Sequence, residues 1–175
     1  MDIIERLTEG NRFYTAHGND ALRIQTAEHG QHPYAVVICC SDSRVIPEQI
    51  FHADIGDLFV IRVAGNVLDR HQLGSVEYAV SHLGCKLVLM LGHTGCGAVG
   101  AALKGDADGH ISFITKDIQK AIGMERDPDT ACRLNVLHGV KILKRAFLKE
   151  PHDADLAITG AVYDLKTGAV EWLET

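Results

Sequence analysis

The sequence predicts an α/β fold: a mostly parallel central sheet of about four strands plus a short antiparallel C-terminal strand, helices on both faces, and an N-terminal helical arm. Two observations carry this prediction. Compact apolar runs lack the polar alternation of a half-exposed strand, which is the pattern of strands buried on both faces. Stretches with helical periodicity separate them, so strand and helix alternate as in βαβ units. The 175 residues, 46% hydrophobic and 23% charged, suffice for one full core. Residues 1–175 read as a single domain, with 1–30 the helical arm and 31–175 the α/β core.

Taken in order, Ile3, Ile4, Leu7, Asn11 and Tyr14 recur at helical spacing over 2–16, an amphipathic helix that Gly18-Asn19-Asp20 ends. A second helical stretch over 21–28 precedes Gly30-Gln31-His32-Pro33. Residues 34–40 (Tyr-Ala-Val-Val-Ile-Cys-Cys) form the first buried strand. Pro47 sits in the first turn of a short helix over 47–51. Residues 58–63 (Leu-Phe-Val-Ile-Arg-Val) form a second buried strand, and 74–83 a helix with Val76, Ala79, Val80 and Leu83 on one face. Residues 87–91 form the third strand, followed by a helix of small residues over about 94–103. Residues 105–130 are looser and contain one helix, 111–122. A longer helix runs from about Asp129 to Leu148 and stops at Glu150-Pro151-His152-Asp153. Residues 156–162 form the fourth strand, and 169–173 a short strand pairing back on it after a turn at 164–168.

The formal net charge of −6 disfavours non-specific binding to nucleic acid or to an anionic membrane. No apolar run is long enough to span a bilayer. The N-terminal Met-Asp-Ile-Ile-Glu-Arg carries an acid where a signal peptide would carry basic charge, which predicts a cytoplasmic protein. The 5 cysteines are odd in number and unevenly spaced, so reduced thiols are expected rather than a disulfide framework.

Parallel sheets bind ligands at the carboxyl ends of their strands. Cys40-Ser41-Asp42-Ser43-Arg44 follows the first strand, Ala64-Gly65-Asn66 the second, and Gly92-His93-Thr94-Gly95-Cys96-Gly97 the third. His93 and Cys96 lie three apart at a strand-to-helix turn and can face one point, which Cys40 reaches from the adjacent strand end. Two thiolates and one imidazole fill three of the four tetrahedral positions that zinc prefers, and a vacant fourth is the pattern of a catalytic site. The two sulfur charges neutralise the ion, so this shell acidifies water less than an all-histidine site does. Asp42 can accept the hydrogen bond of a hydroxide and aim its lone pair, while Arg44 keeps the acid ionised in a bidentate grip. The same Asp42 can swing onto the metal when Arg44 lets go. Cys39, Cys85 and Cys132 read as core cysteines. Phe59 and Tyr78 read by default as core aromatics. His17, His29, His110 and His152 read as solvated loop residues.

The runs CSDSRVIPEQIF, GDLFVIRVAGNV, GSVEYAV, GHTGCGAV and GAVYDLKTGAVEWL also carry a resemblance, extending from about Glu5 through Trp172. The chain resembles the β-class carbonic anhydrases, and Cys-x-Asp-x-Arg followed by His-x-x-Cys is a highly specific combination. The resemblance implies one zinc ion per chain on Cys40, His93 and Cys96, with Asp42 and Arg44 as the catalytic dyad. It implies a substrate pocket with Gln31, Phe59 and Tyr78, and His82 as a proton-transfer residue. In this family the glutamine and the first aromatic usually reach the partner subunit's site, so a homodimer is implied. Residues 103–135 and the N-terminal arm are shorter than in most members, which leaves higher oligomers open. Ala64 stands where a bulkier aliphatic is common, which widens the pocket. Gly97 is assigned to the substrate site, where the glycines let the backbone turn tightly beneath a metal.

The implied reaction is reversible hydration of carbon dioxide to bicarbonate and a proton, by attack of a zinc-bound hydroxide. Carbon dioxide is apolar, so Val63 or Ala64, Phe59 and Tyr78 would line its pocket. Gln31 would donate to an oxygen on which negative charge develops. His82, with an ordinary imidazole, would carry the proton away. Carbon disulfide or carbonyl sulfide hydrolysis on the same scaffold is an alternative, as is a non-catalytic zinc-binding protein, although a structural metal has no use for the Asp42-Arg44 pair. Gly95-Cys96-Gly97-Ala98-Val99-Gly100 also matches the dinucleotide fingerprint GxGxxG. That reading requires a strand ending in an acid about twenty residues on, where 111–122 predicts a helix.

Overall fold

The computed structural model describes residues 2–105, 107–148 and 155–175. The predicted helix stop at Glu150-Pro151-His152-Asp153, and His152 itself, lie outside the described residues. The chain divides into two compact units, Met1–Gln31 and His32–Thr175.

The first unit holds α1 (Ile3–His17) and α2 (Asp20–His29). The backbone N–H of Asp2 donates to the Glu5 carboxylate at 2.9 Å, and the Asn19 side chain accepts from the backbone of Leu22 at 3.2 Å, so each helix starts on a capping contact. Neither helix has a buried residue. The predicted amphipathic face of α1 is there, but Ile3, Ile4, Leu7 and Phe13 are exposed. His17 and His29 each end a helix rather than sitting in a loop, and each Nδ1 lies 3.0 Å from the carbonyl oxygen four residues back.

In the second unit, β1 (Ala35–Cys39), β2 (Leu58–Arg62), β3 (Leu87–His93), β4 (Ala157–Tyr163) and β5 (Val170–Leu173) form one sheet in the order β2-β1-β3-β4-β5. The first three pairings are parallel, and β5 returns antiparallel on β4 with Gly160 opposite Leu173. Every residue of β1 is buried, as its unbroken apolar run predicts. The second strand differs. It was expected to be buried, yet residues 58–61 are only half-buried and Arg62 is exposed. It lies at the sheet edge, and among the described residues β1 is its one strand neighbour.

Helices α4 (Arg70–Leu83) and α7 (Pro128–Phe147) cover one face, burying Val76, Ala79, Val136, Val140 and Leu143 against Val36, Ile38, Val88 and Met90. The Cβ of any other residue at Gly160 would come within 2.7 Å of Val136, so the glycine lets α7 lie directly on β4. The other face is thinner. The short α3 (Pro47–Ile50) and loop side chains pack there on Val37, Cys39, Leu89 and Leu91. A third cluster joins Cys40 and Cys96 to α5 (Gly97–Lys104), α6 (Ile111–Ile122) and the start of α7.

Two helix starts differ from the expectation. Helix α4 begins four residues early because Asp69 caps it: the Asp69 carboxylate accepts from His71 N–H at 2.7 Å while Asp69 N–H donates to Gln72 Oε1 at 2.9 Å. Helix α5 begins three residues late because Gly95 adopts φ 66° and turns residues 94–96 out of the helix. His110 precedes α6 as its cap residue rather than lying within a loop. Among the described residues the element after α5 is α6, a helix, where the dinucleotide reading requires a strand. Among the described residues no helix is long and apolar enough to cross a membrane.

Candidate metal centre

The chain runs from β1 outward to β2, then returns to place β3 on the other side of β1. Such a reversal leaves a crevice between the carboxyl ends of the two strands that part. Cys40 follows the last residue of β1, whose register partner on β3 is Leu91, and His93 is the last residue of β3. Sheet order and register alone therefore bring these two side chains to one crevice. The turn at Gly95 delivers Cys96 to the same place, just before α5.

The Sγ atoms of Cys40 and Cys96 and a ring nitrogen of His93 lie within 4.8 Å of one another, and all three residues are buried. The Nδ1 of His93 is 3.0 Å from the Thr94 carbonyl oxygen, which can only accept, so Nδ1 carries the hydrogen. The Nε2 lone pair then faces the two sulfurs and has no hydrogen-bond partner, the single buried side-chain nitrogen or oxygen left so among the described residues. Leaving such an atom unpaired is costly. A soft-to-borderline cation satisfies it, and two sulfurs with one imidazole are the donor set for zinc. The residues present fit that ion.

The two thiols are coupled: the hydrogen bond between them lowers Cys40 and, together with burial, raises Cys96. The Gly65 N–H donates to Cys40 Sγ at 3.3 Å. Cys39, one residue earlier, points into the opposite sheet face, and burial pushes its thiol up to about 12. Cys85 and Cys132 are likewise buried, and burial raises both.

Asp42 stands beside the cluster and is gripped by Arg44. Arg44 Nε donates to Oδ1 at 2.9 Å, Nη2 to Oδ2 at 2.7 Å, and the Arg44 backbone N–H to Oδ1 at 3.0 Å. These bonds hold the Asp42 carboxyl well below the usual carboxylate range. With both oxygens on Arg44, Asp42 is turned to the guanidinium and is not a member of the three-ligand cluster.

The sequence reading missed three supports. Arg62 donates from Nη2 to the Asp42 carbonyl at 2.6 Å and from Nε to the Cys40 carbonyl at 3.2 Å, bracing the loop between the two side chains. The Gly65 N–H and the buried Asn135, which donates to the Gly65 carbonyl at 2.8 Å, are the other two. An arginine ending an apolar strand was the one visible signal.

Ala64 lies in the 3-10 turn Ala64–Asn66 next to Gly65, and the exposed Gly97 opens α5 next to Cys96, so both adjoin the cluster along the chain. Phe59, Tyr78 and His82 gather elsewhere. The rings of Phe59 and Tyr78 are 6.3 Å apart and those of Tyr78 and His82 5.3 Å. Phe59 pairs with Val36, three positions and about 10 Å of strand short of the Arg62 end. Gln31 is exposed and belongs to the first unit.

A mostly parallel sheet whose crevice holds two sulfurs, one unpartnered imidazole nitrogen and an arginine-held carboxylate has the makings of a metalloenzyme with an open coordination position. The sequence model of the carbonic anhydrase family matches residues 35–170. The chain belongs to that family, in its β class. Carbonic anhydrase 2 of Mycobacterium tuberculosis is 47% identical over 111 residues, covering 60% of this chain and 53% of that protein. The chain thus spans about half the length of that relative. The carbonic anhydrase of Mycolicibacterium smegmatis is 34% identical over 183 residues, covering 94% of this chain and 89% of that protein. A tetrameric β-carbonic anhydrase of the filamentous ascomycete Sordaria macrospora matches the fold with a TM-score of 0.79 at 26% identity, over 98% of this chain and 96% of that one.

Proposed function

We propose that this chain catalyses the reversible hydration of carbon dioxide to bicarbonate and a proton. The observation that carries the reading is the unpartnered, buried Nε2 of His93, facing two cysteine sulfurs beside a carboxylate clamped by arginine. Cys40, His93 and Cys96 would hold one zinc ion per chain. When bound, zinc supplies Lewis acidity, which makes hydroxide available near neutral pH.

The chain's own residues supply the rest. The Asp42 carboxylate accepts the hydrogen bond of the attacking oxygen, which turns that oxygen's lone pair toward the substrate carbon. Arg44 keeps Asp42 ionised and fixed, and Arg62 holds the backbone on either side. Val63, Ala64 and the Gly97 backbone border the substrate space. In the proposed dimer, Gln31 reaches the partner's site and donates an amide hydrogen to the carbon dioxide oxygen there as charge develops on it. Phe59 and Tyr78 give their apolar faces to the substrate, and His82, against Tyr78, takes the proton outward.

Phe59 sits away from the strand end that carries Asp42, so this first aromatic suits a partner's site better than its own. We assign the chain as a homodimer at least. The tetrameric Sordaria macrospora relative and the uncovered apolar side chains of α1 favour assembly. Residues 1–30 then serve as an arm and 31–175 as the catalytic core of one domain. A cytoplasmic location suits thiols that must stay reduced.

Stopped-flow carbon dioxide hydration, run alongside elemental zinc analysis, tests the reading. One zinc per chain and hydration well above the buffer rate are expected. Stoichiometric zinc with hydration no faster than buffer refutes it, and faster turnover of carbon disulfide or carbonyl sulfide reassigns the substrate.

A further inference from the structure

We propose that Asn135 is a positioning residue for the metal centre. It fixes the Gly65 backbone so that the Gly65 N–H stays aimed at the Cys40 sulfur. The inference rests on the reading that Cys40, His93 and Cys96 hold zinc.

Asn135 lies within α7, 6% exposed, between the buried Ala131 and Cys132 on one side and Val136 and Gly139 on the other. A polar side chain in such surroundings needs a partner. Its Nδ2 donates to the Gly65 carbonyl at 2.8 Å, across 70 positions of sequence. The neighbouring α7 positions Ala131, Cys132, Val136 and Gly139 are buried and carry no polar side chain that could take its place.

The residue it holds sits in a left-handed turn. Gly65 has φ 69° and the next residue, Asn66, has φ 43°, so two successive residues adopt left-handed backbone. Glycine and asparagine are the residues that enter this region most readily, and contacts around the turn hold it there. The Gly65 carbonyl is held by Asn135, the Asn66 N–H donates to the Val63 carbonyl at 2.9 Å, and the Asn66 Nδ2 lies 3.6 Å from Met90 Sδ. Gly65 is also pressed against Ile118 and Ala98, so the backbone has little room to settle elsewhere.

The two peptide planes that meet at the Gly65 Cα thus do different jobs. The plane after it is tied to Asn135. The plane before it presents the N–H to Cys40 Sγ at 3.3 Å. With the Asn135 donor removed, the Gly65 carbonyl is a buried acceptor without a partner and must turn to find one. That rotation swings the neighbouring N–H off the sulfur. A thiolate that loses an N–H donor becomes more electron-rich, and its orientation loosens. Partners of metal ligands act in this way on affinity and on the metal's electronic character.

The test compares Asn135→Leu, which keeps the size and removes the donor, with Val140→Ala, a core change on the same helix away from the Gly65 turn. Two readouts do not depend on turnover: zinc affinity by chelator competition, and the sulfur-to-cobalt charge-transfer band of the cobalt-substituted protein. Asn135→Leu should bind zinc about 10–100-fold more weakly and shift the cobalt band to lower energy. Val140→Ala should lower the melting temperature and leave both readouts at the wild-type values. If Asn135→Leu folds and matches Val140→Ala in both, the proposal is overturned. Should Asn135→Leu not fold, nitrogen-15 spectra of the unmodified protein decide: the Asn135 side-chain amide and the Gly65 amide should both shift when cadmium replaces zinc, and an unmoved Asn135 signal overturns the proposal. Failure of the unmodified chain to take up zinc strikes the underlying reading instead, so the two failures are distinguishable.

Discussion

Replacing Asp42 by Asn isolates the step on which the proposed mechanism turns. An ionised carboxylate offers about four lone-pair sites. Three are occupied: Oδ1 accepts from the Arg44 backbone at 3.0 Å and from Arg44 Nε at 2.9 Å, and Oδ2 accepts from Nη2 at 2.7 Å. One site on Oδ2 stays free, and it is the one available to the attacking oxygen. In the Asn variant, the two donors at the Oδ1 position force the amide oxygen there. The NH2 group must then take the Oδ2 position, where it meets Arg44 Nη2 donor to donor and turns the free acceptor into a donor. The nucleophile loses its orienting partner while the shape of the site persists. Removing one preorganised partner of this kind costs about 10²–10³ in rate, or about 3–4 kcal/mol. Zinc should remain, because Asp42 is not one of the three ligands. The assay is stopped-flow hydration at saturating buffer with zinc measured on the same sample. A fully zinc-loaded Asp42→Asn protein with kcat/KM within about threefold of wild type refutes the assignment of Asp42.

Three other outcomes are expected. His93→Ala removes the nitrogen donor and should leave the purified protein with substoichiometric zinc by elemental analysis; a full equivalent contradicts the ligand set. Gly65→Ala forces a side chain onto φ 69° and brings its Cβ within 2.7 Å of Ile118 and 3.0 Å of Ala98. It should cost about 1–3 kcal/mol, a fall in Tm of about 2–10 °C, and an unchanged Tm contradicts the close packing. Arg44→Gln should return the Asp42 carboxyl toward about 3.9. A carboxyl depressed in the folded state adds stability above its unfolded pKa and loses it as pH falls through the folded one. The stability difference between wild type and Arg44→Gln should therefore be constant above about pH 5 and close as the pH drops below about 4. Equal differences at low and neutral pH by chemical denaturation contradict the grip.

What could be read from the residues follows from how local each constraint is. The first strand is legible because burial on both faces leaves an unbroken apolar run. Asp42 and Arg44 are two apart, so their bidentate contact needs only a tight turn. Cys40, His93 and Cys96 are legible as a group from strand ends, because neighbouring parallel strands end together. The half-burial of β2 was not legible, since Leu58 to Ile61 are equally apolar in a central strand and in an edge strand. Asp69 and Gln72 form a capping box, a local polar signal that lies outside the apolar stripe of α4 that marks the helix. The contact between Asn135 and Gly65 spans 70 positions, and no periodicity marks which polar residue on a long helix turns inward. Phe59, Tyr78 and His82 were grouped by family likeness, and the structure gathers them into a cluster separate from the three metal-ligand candidates.

The site has two halves with different physical character, and they should fail differently. His93, Cys40 and Cys96 are 1%, 5% and 5% exposed, locked by β1, β3 and the turn before α5. Arg44 is 60% exposed and Asp42 17%, held on a loop that Arg62 braces from the edge strand. The buried half would set metal affinity, because its geometry cannot relax without moving the sheet. The outer half would set turnover, because it aims an oxygen without binding the ion. Under the proposed function, its charges would also matter for the product. Two guanidinium groups, Arg44 and Arg62, hold the one carboxylate-bearing loop residue Asp42 on a chain whose net charge is −6. Neutral carbon dioxide is indifferent to the field of the guanidinium groups, whereas bicarbonate is drawn to it. Raising ionic strength should therefore weaken inhibition by added bicarbonate while leaving the Michaelis constant for carbon dioxide nearly unchanged.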